Sequence, residues 1–143
     1  MYHKEQRGFT LIELMVVVSV VAVIVAMAIP GFLNARKIGN EANAVASLHC
    51  LRDAQAVHRI RTGQYGTVTD LINRSLVDTT FLSTPRHGYV YADPIAPTSA
   101  TWAISADPNT PGNTGDRFFL CDESGVIRFS SAGPATPTDS PIE

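Results

Sequence analysis

The residue with the most evident chemistry is a carboxylate at the edge of an apolar run. Glu13 immediately precedes Leu14–Ala35, 22 consecutive residues without a charge. As an α-helix that run is roughly 33 Å long, enough to cross a bilayer core. An ionised carboxylate at mid-membrane costs about 2.5–3.5 kcal/mol on insertion scales, and less near the interface. A group kept there at such a cost calls for a cationic partner. The bland role for the same residue is local. Thr10-Leu11-Ile12-Glu13 has the form of a capping box, in which the threonine hydroxyl and the glutamate satisfy backbone N–H groups at a helix start. A negative charge in the first helical turn also suits the helix dipole.

The other reactive side chains make weaker patterns. Cys50 and Cys121 lack metal-type spacing. If the domain lies outside the cytoplasm they are candidates for one disulfide; the alternative is two free, buried thiols. His49, His58 and His87 have no nucleophile elbow beside them, so a hydrolytic triad is rejected. His49 and His58 fall on opposed helix sectors, which argues for surface histidines rather than a zinc site. Asp107, Asn109, Asn113 and Asp116 form an oxygen-rich stretch and are a weak calcium candidate; the plain alternative is a polar turn between strands. No cofactor and no enzymatic activity is expected. The net charge of −2 gives no reason to expect a nucleic-acid partner.

The elements that must position these groups follow from periodicity. One helix is expected from Phe9 to about Arg61, closed by Gly63. Its first half is apolar all round and rich in valine, which lipid tolerates because the backbone must bond internally there. Pro30-Gly31 is expected to interrupt it, as a kink or a local melt. Beyond the proline, Ile38, Ala42, Val45, Ala56 and Ile60 fall near one face, with Leu48 and Leu51 on another. Two apolar sides suit packing on the chain's own domain and against other subunits; a single broad core face is the alternative. Residues 62–66 read as a turn and 69–72 as a short helix capped by Thr67 or Thr69, while Leu76, Phe81 and Leu82 read as core plugs. Strands are expected at 88–92, 101–106, 117–122 and 126–130, with a hairpin turn at 122–125 and an irregular proline-rich tail from Gly133. The fold class is therefore α+β: a long N-terminal helix, membrane-spanning in its first half, packed against a small antiparallel sheet of about four strands. The expected organisation is a leader at 1–8, a helix at 9–62 and a small sheet domain with its tail at 63–143.

Arg7-Gly8-Phe9-Thr10-Leu11-Ile12-Glu13-Leu14 resembles the prepilin motif of type IV pilins and type II secretion pseudopilins, unbroken across the motif. Pro30 and, more loosely, the layout of the whole chain resemble the same family. The resemblance implies cleavage after Gly8 by a prepilin peptidase, methylation of Phe9, and pairing of Glu13 with the new amine of a neighbouring subunit to set filament register. It implies a chain held in the inner membrane before assembly and then in a periplasmic or extracellular filament on a bacterial cell surface. An assembly platform and an ATPase are implied with it. The main expectation is a pilin subunit, the alternative a pseudopilin. The cysteines depart from many major pilins, which carry two near the C-terminus; here Cys50 lies on the helix. Two rival readings remain from residues alone. One is a secretory signal cut after Ala28, following Ala26-Met27-Ala28, and the other a plain single-span anchor. Lys4 and Arg7 before the span, and Arg36 and Lys37 after it, leave orientation undecided by charge.

Overall fold

The computed structural model describes residues 8–82 and 85–142. Lys4, Arg7 and most of the expected leader lie outside the described residues. One helix, α1, runs from Leu11 to Thr62. Compactness divides the chain between Ala35 and Arg36, inside that helix. The two units are described separately.

In the first unit every large apolar side chain from Phe9 to Leu33 is at least 44% exposed. Backbone groups are satisfied within the helix, and Ser19 Oγ donates to Met15 O at 2.8 Å. The hydroxyl thus adds no unpaired polar group to an apolar surface. The local melt, one of the two outcomes expected at Pro30-Gly31, is not found: α1 is helical through both residues. Proline lacks one N–H, so it removes one ladder bond, and the bonds on either side suffice to continue the helix.

In the second unit α1 buries one stripe: Glu41, Ala44, Ser47, Leu48, Leu51, Ala54, Gln55 and His58. Spacings of three and four keep these residues on one side of a 3.6-residue helix. The Leu48–Leu51 side is therefore the core side. Ile38 and Ile60, on the other expected face, are 68% and 86% exposed. Gly63, at φ +79°, supplies the left-handed residue that ends the helix. A short helix α2, Val68–Asn73, follows, with Thr67 as its cap and Asp70 completing a capping box. A 3-10 turn, Thr79–Phe81, then places Phe81 in the core. Leu82 is 54% exposed and is not the core plug expected of it.

The sheet is antiparallel, with β1 Tyr89–Ala92, β2 Ala103–Pro108, β3 Phe118–Asp122, β4 Ile127–Ser130 and β5 Ser140–Pro141 adjacent in sequence order. Alternation sends Tyr89, Tyr91, Ile104, Ala106, Phe119, Cys121 and Ile127 into one core with Leu48, Leu51 and Leu71. The tail is not wholly irregular, since Ser140 and Pro141 pair with Phe129 and Arg128 as the fifth strand.

Cys50 is exposed and Cys121 buried, and both are free. Of the two alternatives, a disulfide and two free, buried thiols, the disulfide is not formed and only Cys121 is buried, for a geometric reason. Position 50 lies off the stripe of α1 that faces the sheet, while Cys121 points into the core. Burial, reinforced by the neighbouring Asp122 carboxylate, pushes the Cys121 thiol up to about 12. It stays protonated and behaves as a small apolar side chain.

Two predictions follow from this packing. Leu51→Ala should lower the unfolding free energy by about 2–5 kcal/mol, whereas Ile60→Ala should change it by less than about 0.5 kcal/mol. Urea titration followed by the emission of Trp102, the one tryptophan, separates the two. The second concerns acid. The Thr67 hydroxyl and then its backbone N–H hold the Asp70 carboxylate below the ordinary range. That contribution is present above the unfolded pKa and is lost as pH falls through the folded one. Asp70→Asn should therefore flatten the loss of stability below about pH 4, measured as unfolding midpoint against pH.

Candidate functional site

The candidate site is the N-terminal segment with Glu13 at its centre. Thr10 N–H donates to Glu13 Oε2 at 3.0 Å and the Thr10 hydroxyl to the same oxygen at 2.9 Å, while Glu13 N–H donates to Thr10 Oγ1 at 3.2 Å. The capping box therefore closes. Thr10 O also accepts the first helical bond, from Leu14 N–H at 3.3 Å. Two of the four N–H groups that a helix start leaves free find side-chain partners here. Both bonds to the carboxylate, one from the Thr10 backbone and one from its hydroxyl, fall on Oε2, and Oε1 has no partner among the described residues. The box thus holds the carboxylate in place without using it up. Phe9, at 78% exposure, stands one residue before the cap. Phe9 and Phe32 are exposed, unlike Tyr89 and Tyr91, which fill the core.

The second unit contains a set of polar anchors that sequence reasoning missed. Glu41 is 7% exposed on the buried stripe. Its Oε1 accepts from Asp116 N–H at 2.8 Å and its Oε2 from Arg117 Nε at 2.7 Å. Lys37 Nζ donates to both oxygens of Asp116 at 3.2 Å. Asn40 Nδ2 donates to Thr114 O at 2.8 Å. These contacts fasten the β2–β3 loop to one turn of α1. Tyr89 Oη adds a bond to Arg117 O at 2.8 Å, and burial pushes its phenol above the ordinary range. A Cβ on Gly115 would lie 2.1 Å from that same oxygen, so only glycine fits there. At the far end of the stripe, Gln55 bonds both backbone groups of Gly66, and His58 Nδ1 meets Gln64 O at 2.9 Å. His58 is buried, against the expectation of a surface histidine, while His49 and His87 are exposed. The missed signal was positional: Glu41, Gln55 and His58 sit on the same three-four spacing as Ala44, Leu48 and Leu51.

Two of the calcium candidates have partners within the fold. Asp107 lies on β2 and accepts from the Ser105 hydroxyl at 3.3 Å, while Asp116 is engaged by Lys37. Burial raises the Asp107 carboxyl above its ordinary range. Among the described residues no three His, Cys, Asp or Glu side chains form a metal-holding group.

Glu41→Ala leaves Asp116 N–H and the Arg117 guanidinium without their acceptor. It should cost about 1–3 kcal/mol in urea unfolding. Lys37→Ala, at the more exposed pair, should cost about 1 kcal/mol or less.

Residues 3–29 match a family model described as the prokaryotic N-terminal methylation motif. The chain is similar to the type IV wide pilus major component PilA4 of Thermus thermophilus, 36% identical over 62 residues, covering 43% of this chain and 47% of that one. It is 39% identical over 54 residues to the type IV major pilin protein PilA of Myxococcus xanthus, covering 38% of this chain and 24% of that one. It is 26% identical over 135 residues to the type II secretion system core protein G of Escherichia coli, covering 91% of this chain and 83% of that one. The matched part thus spans about half the length of the Thermus pilin component and about a quarter of the Myxococcus pilin.

Proposed function

We propose that this chain, which carries the N-terminal methylation motif of prokaryotic prepilins, is a structural subunit that polymerises into a type IV pilus-like filament. The observation that carries the reading is the first unit: a helix whose large apolar side chains are exposed among the described residues, headed by a carboxylate already fixed in a capping box. Such a surface must be covered by lipid before assembly and by like helices after it. The peptidase cuts after Gly8, Phe9 becomes the methylated N-terminus, and the filament's register comes from pairing that amine with Glu13 of a neighbour. Oε1, without a partner among the described residues, is the oxygen placed to accept it. Leaving such a charge buried and unpaired costs about 3–5 kcal/mol, which penalises neighbours docked out of register. In this reading the chain rests in the inner membrane and then in a filament outside it, the assembly ATPase and platform act on it, and it does no catalysis.

A second reading, a secretion pseudopilin, rests on a specific observation. The pilin similarities take in about two fifths of the chain, whereas core protein G aligns along 91% of it. Electron microscopy of surface filaments with mass spectrometry of their subunit separates the two. Long surface filaments built of this chain support the pilin. Its absence from such filaments, with a secretion defect on deletion, supports the pseudopilin.

Mass spectrometry of the mature N-terminus should find methylated Phe9. Ile29 would instead mark a cleaved signal, and Met1 a plain anchor. Glu13→Ala should stop filament incorporation while leaving the unfolding midpoint of the second unit unchanged. Normal filaments in that variant would refute the pairing role.

A further inference from the structure

The sheet face turned away from α1 carries a feature distinct from the N-terminal segment. Alternation places Ala103 on β2 and Leu120 and Asp122 on β3 on this face, with Ala103 directly opposite Asp122. Ala135 from the tail packs on Ala103 and Leu120 as a second small cluster. Between the tail and the segment preceding β2 lies a cavity of about 330 Å³. Its apolar wall includes Ile95, Trp102, Leu120 and Pro137, and its charged groups are Asp122 and Glu123. No lysine or arginine lines it.

Asp122 is only 8% exposed. Its Oδ1 accepts from Ser124 N–H at 2.9 Å and from the Ser124 hydroxyl. Its Oδ2 has no hydrogen-bond partner among the described residues. Glu123 Oε2 has one long bond, from Trp102 N–H at 3.4 Å. A largely buried carboxylate, with one oxygen not hydrogen-bonded among the described residues and not sealed from solvent, thus lines an apolar cavity whose lining has no lysine or arginine. Ser124 already holds Oδ1, so a cation entering the cavity would meet Oδ2.

We propose that this cavity binds a small organic cation, a primary ammonium on a short aromatic or aliphatic stem. The stem replaces water against Ile95, Leu120 and Pro137, and the ammonium donates to Asp122 Oδ2 with Glu123 beside it. A charge-assisted bond to a partly buried carboxylate is about twice as strong as a neutral one. An anion would face two carboxylates. A neutral molecule of the same shape would bury Asp122 further without pairing its charge. The volume is at the small end of ligand sites, which sets the size of the stem. The proposal stands apart from the filament reading, since none of these residues belongs to the N-terminal segment.

Trp102 is the only tryptophan and lines the cavity, so its emission reports occupancy directly. The full chain in non-ionic detergent micelles is titrated with 2-phenylethylammonium, with 2-phenylethanol as the neutral match and 3-phenylpropanoate as the anion. The ammonium should change Trp102 emission saturably and bind at least about tenfold more tightly than the alcohol, and the carboxylate should do nothing. Asp122→Asn keeps Oδ1 for Ser124 and should weaken the ammonium by about tenfold or more. Ala135→Phe fills the cavity from the tail and should abolish the response, and Glu123→Gln should weaken binding less than Asp122→Asn. Unfolding midpoints of all three variants identify those that remain folded, and affinities are compared among these. Equal affinity for ammonium and alcohol, a titration unchanged by Ala135→Phe, or no response at millimolar ammonium would each overturn the proposal.

Discussion

The structure depends on one helix that has to satisfy two solvents. From Leu14 to Leu33 it carries no charge, and its large apolar side chains are exposed all round. From Glu41 to His58 it is buried along one stripe only. Burying a valine or leucine side chain is worth about 1.5–3 kcal/mol, so the first stretch cannot stay in water. The second stretch has a different problem, because four of its eight buried residues are polar. Lipid or like helices solve the first, and the sheet with its loops solves the second.

The polar members of the stripe determine how the sheet sits on its helix. Leu48 and Leu51 supply cohesion at the middle, but leucine contacts tolerate sliding. Glu41 at one end takes the Asp116 N–H and the Arg117 side chain, and Gln55 at the other takes both groups of Gly66. A shift of one helical turn would strand all of these partners, at about 1–3 kcal/mol for each buried group left unpaired. The β2–β3 loop, tied down also by Asn40 and Lys37, is therefore part of the packing rather than a loose connection.

What was legible in the sequence divides along physical lines. The capping box at Thr10 and Glu13, the end of the helix at Gly63, and the four main strands are local signals, and each appears within two residues of its expected place. The side of the amphipathic half that would be buried was not legible, because alanines spread over both sides. Tyr89, Phe119 and Cys121 on the distant sheet decide that Leu48 and Leu51 face the core. Glu41 and His58 were hidden for a related reason. Charged and titratable residues read as surface until the loop that satisfies them is placed, and that loop lies more than 70 residues away from Glu41. Of the kink and the local melt expected at Pro30, the melt does not occur: one missing donor weakens a helix without having to end it.

The same division explains why Glu13 matters beyond its cap. In lipid, apolar helices gain little by leaving acyl chains for one another, since both are equally greasy. The valines from Val16 to Val25 therefore make the segment insoluble in water without telling it which neighbour to choose. A charge at the lip of the membrane differs. Its cap occupies one oxygen, and a cation on a neighbouring helix can pair with the carboxylate in a way that acyl chains cannot. In the proposed filament, leucine, isoleucine and valine surfaces supply area and Glu13 supplies the choice of register. That is the arrangement expected when the driving force is non-directional and specificity has to come from a single polar group.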